Sequence, residues 1–426
     1  MNRGRCLAFA VALATAGPPA AAAQRRDETS ATVFQRYADH TAKIQVVESG
    51  SGAKAELGSA FFVSADGLLI TNYHVVADAV DDDRYRVEWL DQNGVGHEGR
   101  VLAVDVVRDL AVVASDRPTT RYFTLAAITL PKGTRLYSLG HPEDLGLSIV
   151  EGVYNGRLEH TLYPKIHFTG PINPGMSGGP ALSADGRVVG VNVATAGNSV
   201  SFLVPIDAAI PLLRRARASA DSEPPDFTAE IGAQILANQD TYLGTLFQGG
   251  DSTVRIGPFE LPTQPAPFFR CWADADRDHE GRYETVDHQC STDDYIYLSG
   301  SQSSGIVSLS HKVLLSRGLN PLRFYHLYSN EFRQNHNAAD FSEATDVTEY
   351  RCRNDNIRRQ GMVLKTRFCV RRYTSYDGLY DANLKAAVLG ARDAGVVTEL
   401  TLSGVSFENA IRIARKYLDR IRWAKP

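Results

Sequence analysis

The stretch running Asn173-Pro-Gly-Met-Ser-Gly-Gly-Pro-Ala-Leu182 constrains this chain more than any other. Gly175 ahead of Ser177, and Gly178-Gly179 behind it, let the backbone turn sharply, because glycine takes positive φ without a steric penalty. In such a turn the N–H groups of Gly175 and Ser177 can converge on one point and hold an oxyanion. A serine nucleophile needs that stabilisation as well as a base to take its proton. A Gly-rich turn is also an ordinary tight turn, so the weight of the motif depends on partners upstream.

Two are present. Residues 58–76 read as a hairpin: an apolar run from Ala60 to Val63, a turn at Asp66-Gly67, and a second run from Leu68 to Ile70. His74 follows the second strand, where its side chain can be held rigidly. Asp109 lies inside the strand-like run 101–113. A carboxylate there is costly to bury unless something pairs with it. An imidazole N–H from His74 would pair with it and fix the ring's tautomer. The chain order is His, Asp, Ser.

These motifs, in this order, resemble the trypsin-like serine proteases and in particular the bacterial HtrA/Deg branch. The resemblance runs from about Leu57 to Ile210 and takes in Gly140-His141-Pro142, Gly152-Val153, Ile166 through Asn192, and Ser201 to Pro205. It implies an all-β protease domain of two six-stranded antiparallel β-barrels with the site in the cleft between them. His74 and Asp109 would come from the first barrel and Ser177 from the second. Ser177 would be the nucleophile, His74 the proton carrier and Asp109 its orienting carboxylate, with Gly175 and Ser177 as oxyanion donors. By the same analogy the primary specificity pocket is lined by Gly170, Pro171 and Ile172, by Asn192, Val193, Ala194 and Thr195, and by the loop near Asn198. No acidic residue stands in these stretches, so a small or medium apolar side chain is expected before the scissile bond. Two positions depart from the family. Met176 stands where Asn or Asp commonly precedes the serine, and Thr169-Gly170-Pro171 replaces the usual acidic and small residues, with Pro171 offering no N–H.

Residues 1–23 read as a secretory signal: Arg3 and Arg5, an apolar core from Cys6 to Ala16, and Ala21-Ala22-Ala23 before Gln24. A periplasmic or secreted protein follows, with no stable membrane insertion after cleavage. The net charge of −4, with well-mixed signs, gives no reason to expect a nucleic-acid partner; the expected partners are protein or peptide substrates. The 426 residues call for two domains or more. A protease domain is expected over 29–219, a linker over 220–226, and a mixed α+β C-terminal domain of no recognised family over 227–426, without a recognisable PDZ module. Four cysteines remain after the leader: Cys271, Cys290, Cys352 and Cys369. Three pairings are possible, and Cys271–Cys290 with Cys352–Cys369 is favoured because each pair brackets a loop of hairpin length.

No metal or cofactor is expected. No cysteine pair has zinc-knuckle spacing. The acidic run Asp274 to Glu280 resembles an EF-hand start, but His279 occupies the place that needs Gly and Thr285 the place that needs Glu, so it reads as a solvated turn. His279 and His288 are expected to be exposed. The second half alternates short β-like runs with polar turns and closes on two helical patterns, about Asp381 to Ala394 and Phe407 to Trp423. Two functions are compatible with these features. One is an exported serine endopeptidase acting through an acyl-enzyme. The other is an inactive protease scaffold that binds through its C-terminal domain, and the loss of a triad residue would mark it; all three are present.

Overall fold

The computed structural model describes residues 29–195, 200–220, 225–248, 252–278, 280–334, 342–390 and 392–424. The expected leader and its cleavage site, residues 221–224 of the expected linker, Asn198 and His279 lie outside them. After α1 (Ser30–Tyr37), capped by the Thr29 hydroxyl, the chain enters six short strands rich in Val, Ile, Leu and Phe. They are β1 (Thr41–Glu48), β2 (Lys54–Phe62), β3 (Leu68–Thr71), β4 (Tyr85–Leu90), β5 (Gly96–Asp105) and β6 (Leu110–Ser115). They close antiparallel in the order β1-β2-β3-β6-β5-β4, and closure leaves no unpaired edge. A two-turn helix, α2 (Tyr73–Asp81), leaves the end of β3.

A second barrel follows: β7 (Arg135–Gly140), β8 (Ser148–Arg157), β9 (Ile166–Phe168), β10 (Pro180–Ser183), β11 (Val188–Thr195) and β12 (Ser201–Pro205). Its order, β10-β11-β12-β9-β8-β7, repeats the closure of the first. α3 (Ile206–Ala218) then packs Ala209, Leu212, Leu213 and Ala216 against a core that holds residues of both barrels. The two six-stranded barrels are the trypsin-like fold.

The second half opens with α4 (Phe227–Leu243), β13 (Thr253–Ile256) and β14 (Phe259–Pro262). Next come β15 (Phe269–Arg277), β16 (Tyr283–Thr292), a hairpin of β17 (Ile296–Ser299) and β18 (Gln302–Ser304), and β19 (Val307–Ser316). α5 (Pro321–Arg333), β20 (Arg351–Arg359), β21 (Met362–Arg372), β22 (Tyr380–Val388), β23 (Ala394–Val405), α6 (Phe407–Leu418) and β24 (Arg422–Trp423) complete it. Seven of these strands form one antiparallel sheet, β15-β16-β19-β23-β22-β21-β20.

Here the structure corrects several expectations. The helical pattern at Asp381 to Ala394 is instead most of β22, a turn, and the start of β23. Both strands are central, with α5 residues Phe324 and Tyr328 on one face and α6 residues Ala410 and Ile413 on the other. A strand buried on both faces loses its polar alternation, so Ala382, Ala386 and Ala387 look helical in isolation. The second helical pattern stops at Leu418, because Arg422 and Trp423 pair with β14 and Trp423 stacks on Phe259 at 5.0 Å. The aromatic residues after Arg323 lie on α5, where Phe324 and Tyr328 are buried. Asp274 and Asp276 lie on the edge strand β15 rather than in a turn. His288 is buried, not exposed, with its Nε2 3.1 Å from the Thr263 hydroxyl.

Disulfides join Cys271 to Cys290 and Cys352 to Cys369, each across directly paired residues of neighbouring strands. Cys271, His288 and Cys290 therefore lie together without a thiolate to offer a metal. No helix among the described residues is long and apolar enough to cross a membrane.

The two halves share a hydrophobic core. One cluster contains Tyr73, Val76, Val104 and Val106 of the first barrel region together with Ile235 of α4 and Leu298 of β17.

Candidate active site

His74 is the second residue of α2, and Asn72, fully buried, holds the position just before that helix. The Asn72 side chain donates to the Asp109 carbonyl at 2.7 Å, tying the helix start to the β5–β6 turn. Asp109 adopts a φ of 54° there, unusual for a residue with a Cβ. That conformation aims its carboxylate back at α2. Oδ1 accepts the His74 backbone N–H at 2.8 Å, and Oδ2 accepts from the ring Nδ1 at 2.7 Å. With the proton committed to Nδ1, the Nε2 lone pair of the neutral ring is free to act as a base. Burial opposes a charge on His74, but the charge of Asp109, its hydrogen bond and the more distant Glu56 outweigh it and raise the pKa above 6.5.

Ser177 sits in the loop between β9 and β10. The Met176 N–H donates to Asn173 at 3.0 Å, and the Gly179 N–H donates to Met176 at 3.1 Å, closing two tight turns around it. Gly178 has a φ of +84°, and a Cβ there would lie 2.1 Å from the Ser59 carbonyl and 3.1 Å from the Asn72 N. The loop therefore presses directly on the residues that precede His74. On the other side of His74, Gly58 is wedged between Val75 and the Ser177 carbonyl, and the Ser59 N–H donates to that carbonyl at 2.8 Å. The Ser177 loop of the second barrel thus packs against Gly58, Ser59 and Asn72 of the first, next to the paired His74 and Asp109. Among the described residues, the Ser177 hydroxyl has no hydrogen bond to His74.

Among the described residues, the N–H groups of Gly175 and Ser177 donate to no protein acceptor. The Pro174 carbonyl accepts the Glu143 N–H at 2.9 Å. Because a trans peptide points its C=O and N–H in opposite directions, the Gly175 N–H faces away from that contact. A Cβ on Gly175, whose φ is +88°, would lie 2.4 Å from the His141 carbonyl, so only glycine fits. The loop that supplies Glu143 is held in turn. Glu143 and Asp144 both have positive φ, and the Asp144 carboxylate takes hydrogen bonds from Lys43 on β1 and Lys54 on β2. Those bonds bring the Asp144 pKa down to about 2. Burial, reinforced by Lys43, lowers His141 to about 4, so its ring is neutral beside the Ser59 hydroxyl.

The residues expected to line the specificity pocket divide into different roles. Pro171 is exposed and Gly170 is packed under the Phe168 ring, where a Cβ would lie 2.3 Å from it. The Ile172 side chain points into the second barrel's core, beside Met176. Asn192 corrects the expectation most clearly: it is fully buried and turned away from the cleft. Its Nδ2 donates to Met176 and Leu139 at 3.1 and 3.2 Å, and its Oδ1 accepts from Ser138 at 2.8 Å. Its backbone carbonyl also accepts the Gly178 N–H at 2.9 Å. It braces the Ser177 loop, with both of its amide hydrogens spent on backbone carbonyls. Val193 is half-buried; the side chains of Ala194 and Thr195 lie outside the described residues. Burial also explains Met176, since a carboxylate in that apolar pocket would be unpaired.

Sequence reasoning missed Ser59, whose hydroxyl donates to the Gly175 carbonyl at 2.7 Å and accepts the His141 N–H at 2.9 Å. It also missed the Lys43–Asp144–Lys54 clamp and the placement of Tyr297, whose ring lies edge-on to His74 at 6.0 Å. Asp144 lies 90 or more residues from either lysine, and nothing local marks the three.

Comparison with known proteins finds matches over the first half of the chain. The trypsin-like peptidase domain family matches residues 58–191. Serine protease HTRA2, mitochondrial, of Bos taurus is 30% identical over 212 residues, covering 46% of this chain and 45% of that protein. A probable periplasmic serine endoprotease DegP-like of Pseudomonas fulva is 30% identical over 203 residues, 44% of this chain and 41% of that protein. Among solved structures, the serine endoprotease from Yersinia pestis aligns with a TM-score of 0.39 at 21% identity, over 45% of this chain and 68% of that one. The chain spans less than half the length of the curated relatives it matches.

Proposed function

From a chain whose residues 58–191 are a trypsin-like peptidase domain with HtrA and DegP-like relatives, we infer an exported serine endopeptidase that works through an acyl-enzyme. Ser177 Oγ attacks the scissile carbonyl while His74 Nε2 takes its proton. Asp109 holds the imidazolium that forms, and the Gly175 and Ser177 N–H groups hold the oxyanion. The tetrahedral adduct collapses as His74 passes the proton to the leaving amine. Water then attacks the acyl-serine with His74 again as base, and Ser177 recovers its proton. The observation that carries this reading is the His74 Nδ1–Asp109 Oδ2 bond, which leaves the basic nitrogen on the open side of the ring. The Ser177–His74 bond closes when substrate fills the cleft, as is usual for catalytic hydrogen bonds that are long in the free enzyme.

Export rests on the leader at 1–23 and on two disulfides, which persist in oxidising compartments. Protein or peptide substrates with a small or medium apolar residue before the scissile bond suit a pocket wall without carboxylates. A fluorophosphonate probe tests the reading: the mature protein labels on Ser177 and digests casein, while Ser177→Ala does neither. A mature protein that neither labels nor digests overturns it in favour of a binding scaffold.

A further inference from the structure

The second half of the chain reaches the His74 ring and the turn that carries Asp109. At the His74 side, the β17–β18 hairpin lies over α2. The Tyr73 ring is fully buried there, and its hydroxyl donates to the Leu298 carbonyl at 2.9 Å. One residue earlier, the Tyr297 ring stands T-shaped against the imidazole of His74, centroids 6.0 Å apart, and edge-on to Tyr73 as well. Burial, with Asp78 and Glu56 adding, pushes the Tyr297 phenol up to about 12, so the ring is neutral.

At the Asp109 side, Gln234 of α4 braces the β5–β6 turn. Its Oε1 accepts the Val106 N–H at 3.0 Å and its Nε2 donates to the Val104 carbonyl at 2.8 Å. The hairpin is also fixed to the second barrel. Asp294, just ahead of β17, accepts from the Leu162 N–H at 2.8 Å and from Lys165 Nζ at 2.7 Å. Below, Ser301 on the hairpin turn donates to Asp346 at 2.7 Å, and Gly305 N–H donates to Ser403 of β23 at 3.2 Å. The segment beside His74 is therefore anchored on three sides.

A hydrogen bond at Nδ1 fixes one point of an imidazole and leaves the ring free to swing about it. A second contact on the ring removes that freedom, and an aromatic edge does so through the geometry that ring pairs favour. We propose that Tyr297 is a positioning residue for His74 and that the β17–β18 hairpin makes the C-terminal half a working part of the active site. This rests on the protease reading above. It assigns a catalytic duty to a region that carries none of the triad.

The full mature chain with Tyr297→Ala, Tyr297→Phe and the neighbouring Tyr295→Ala is the test; Tyr295 is exposed and serves as a control. Tyr297→Ala lowers kcat on a peptide substrate about ten- to a hundredfold with KM little changed, and slows fluorophosphonate labelling of Ser177 by the same factor. Tyr297→Phe and Tyr295→Ala keep wild-type rates. The downfield Nδ1–H resonance of His74 broadens in Tyr297→Ala while thermal melting shows the chain still folded. Tyr297→Leu, which retains most of the buried volume, gives the same comparison where alanine lowers the melting point. An inactive wild type fails the protease reading instead. An active wild type with a folded Tyr297→Ala or Tyr297→Leu of unchanged kcat and labelling rate overturns the proposal.

Discussion

Glu143 donates its backbone N–H to the carbonyl of Pro174 at 2.9 Å, and that bond decides which way the Gly175 N–H faces. If the carbonyl turned toward the cleft, its oxygen would take the place of the substrate's oxyanion. The orientation depends on a loop with two consecutive positive-φ residues, and that loop depends on Asp144 and its two lysines.

Asp144→Ala is expected to lower kcat by up to about a hundredfold, a fraction of the loss of an oxyanion donor, with KM less affected. The pH dependence separates this clamp from the triad. A carboxyl lowered from 3.8 contributes its stabilisation above that value and loses it as pH falls through about 2. The clamp is thus intact throughout the neutral and mildly acid range. Activity lost between pH 7 and 5 in steady-state kinetics comes from elsewhere.

In the proposed mechanism it comes from His74. Its pKa is raised above 6.5, so below that value the ring is protonated and cannot accept the serine proton. The acid limb of kcat/KM lies above pH 6.5. Asp109→Asn removes both the charge and the acceptor that raise it, so the limb moves down and kcat falls by about 10⁴-fold as the tautomer is lost. A pH–rate profile of both proteins measures the two effects together.

The residues of the candidate site carry their marks locally. Ser177 is bracketed by glycines that nothing else can replace, and His74 ends a hairpin with a clear turn. Asp109 was legible as a carboxylate with no local excuse for burial. What supports these residues was not legible. Ser59 is one hydroxyl among many, and it matters only because folding puts it under Gly175. Asn192 looked like a pocket residue from its place in the chain, but the β-bulge beside it turns the side chain inward. In the second half, β22 hid in an alanine-rich run because both of its faces are covered. Tyr297 gave no signal, since its neighbour His74 lies more than two hundred residues earlier.

Asn192→Ala is expected to destabilise the protein by about 2–3 kcal/mol, because it strips buried carbonyls of Met176 and Leu139 and the hydroxyl of Ser138 of a partner at once. Urea unfolding measures the loss. Labelling of Ser177 slows in the same variant, since the loop carrying the nucleophile loses its brace. A variant with full stability and full labelling would show that the loop is held by its backbone bonds alone.

The two disulfides differ in reach. Cys352 is exposed on the edge strand β20, whereas Cys290 is fully buried beneath β15 and its partner is only partly accessible. A reductant attacks through an accessible sulfur, so graded reduction followed by alkylation and mass spectrometry is expected to label Cys352 and Cys369 before Cys271 and Cys290. Each closes a loop of 17 to 19 residues, worth about 3 kcal/mol against the unfolded chain. The Cys352–Cys369 pair lies at the sheet's far edge, three strands beyond β23, whereas the hairpin that meets His74 packs against β23 itself. Opening that pair alone therefore lowers the melting temperature and leaves casein digestion at room temperature unchanged.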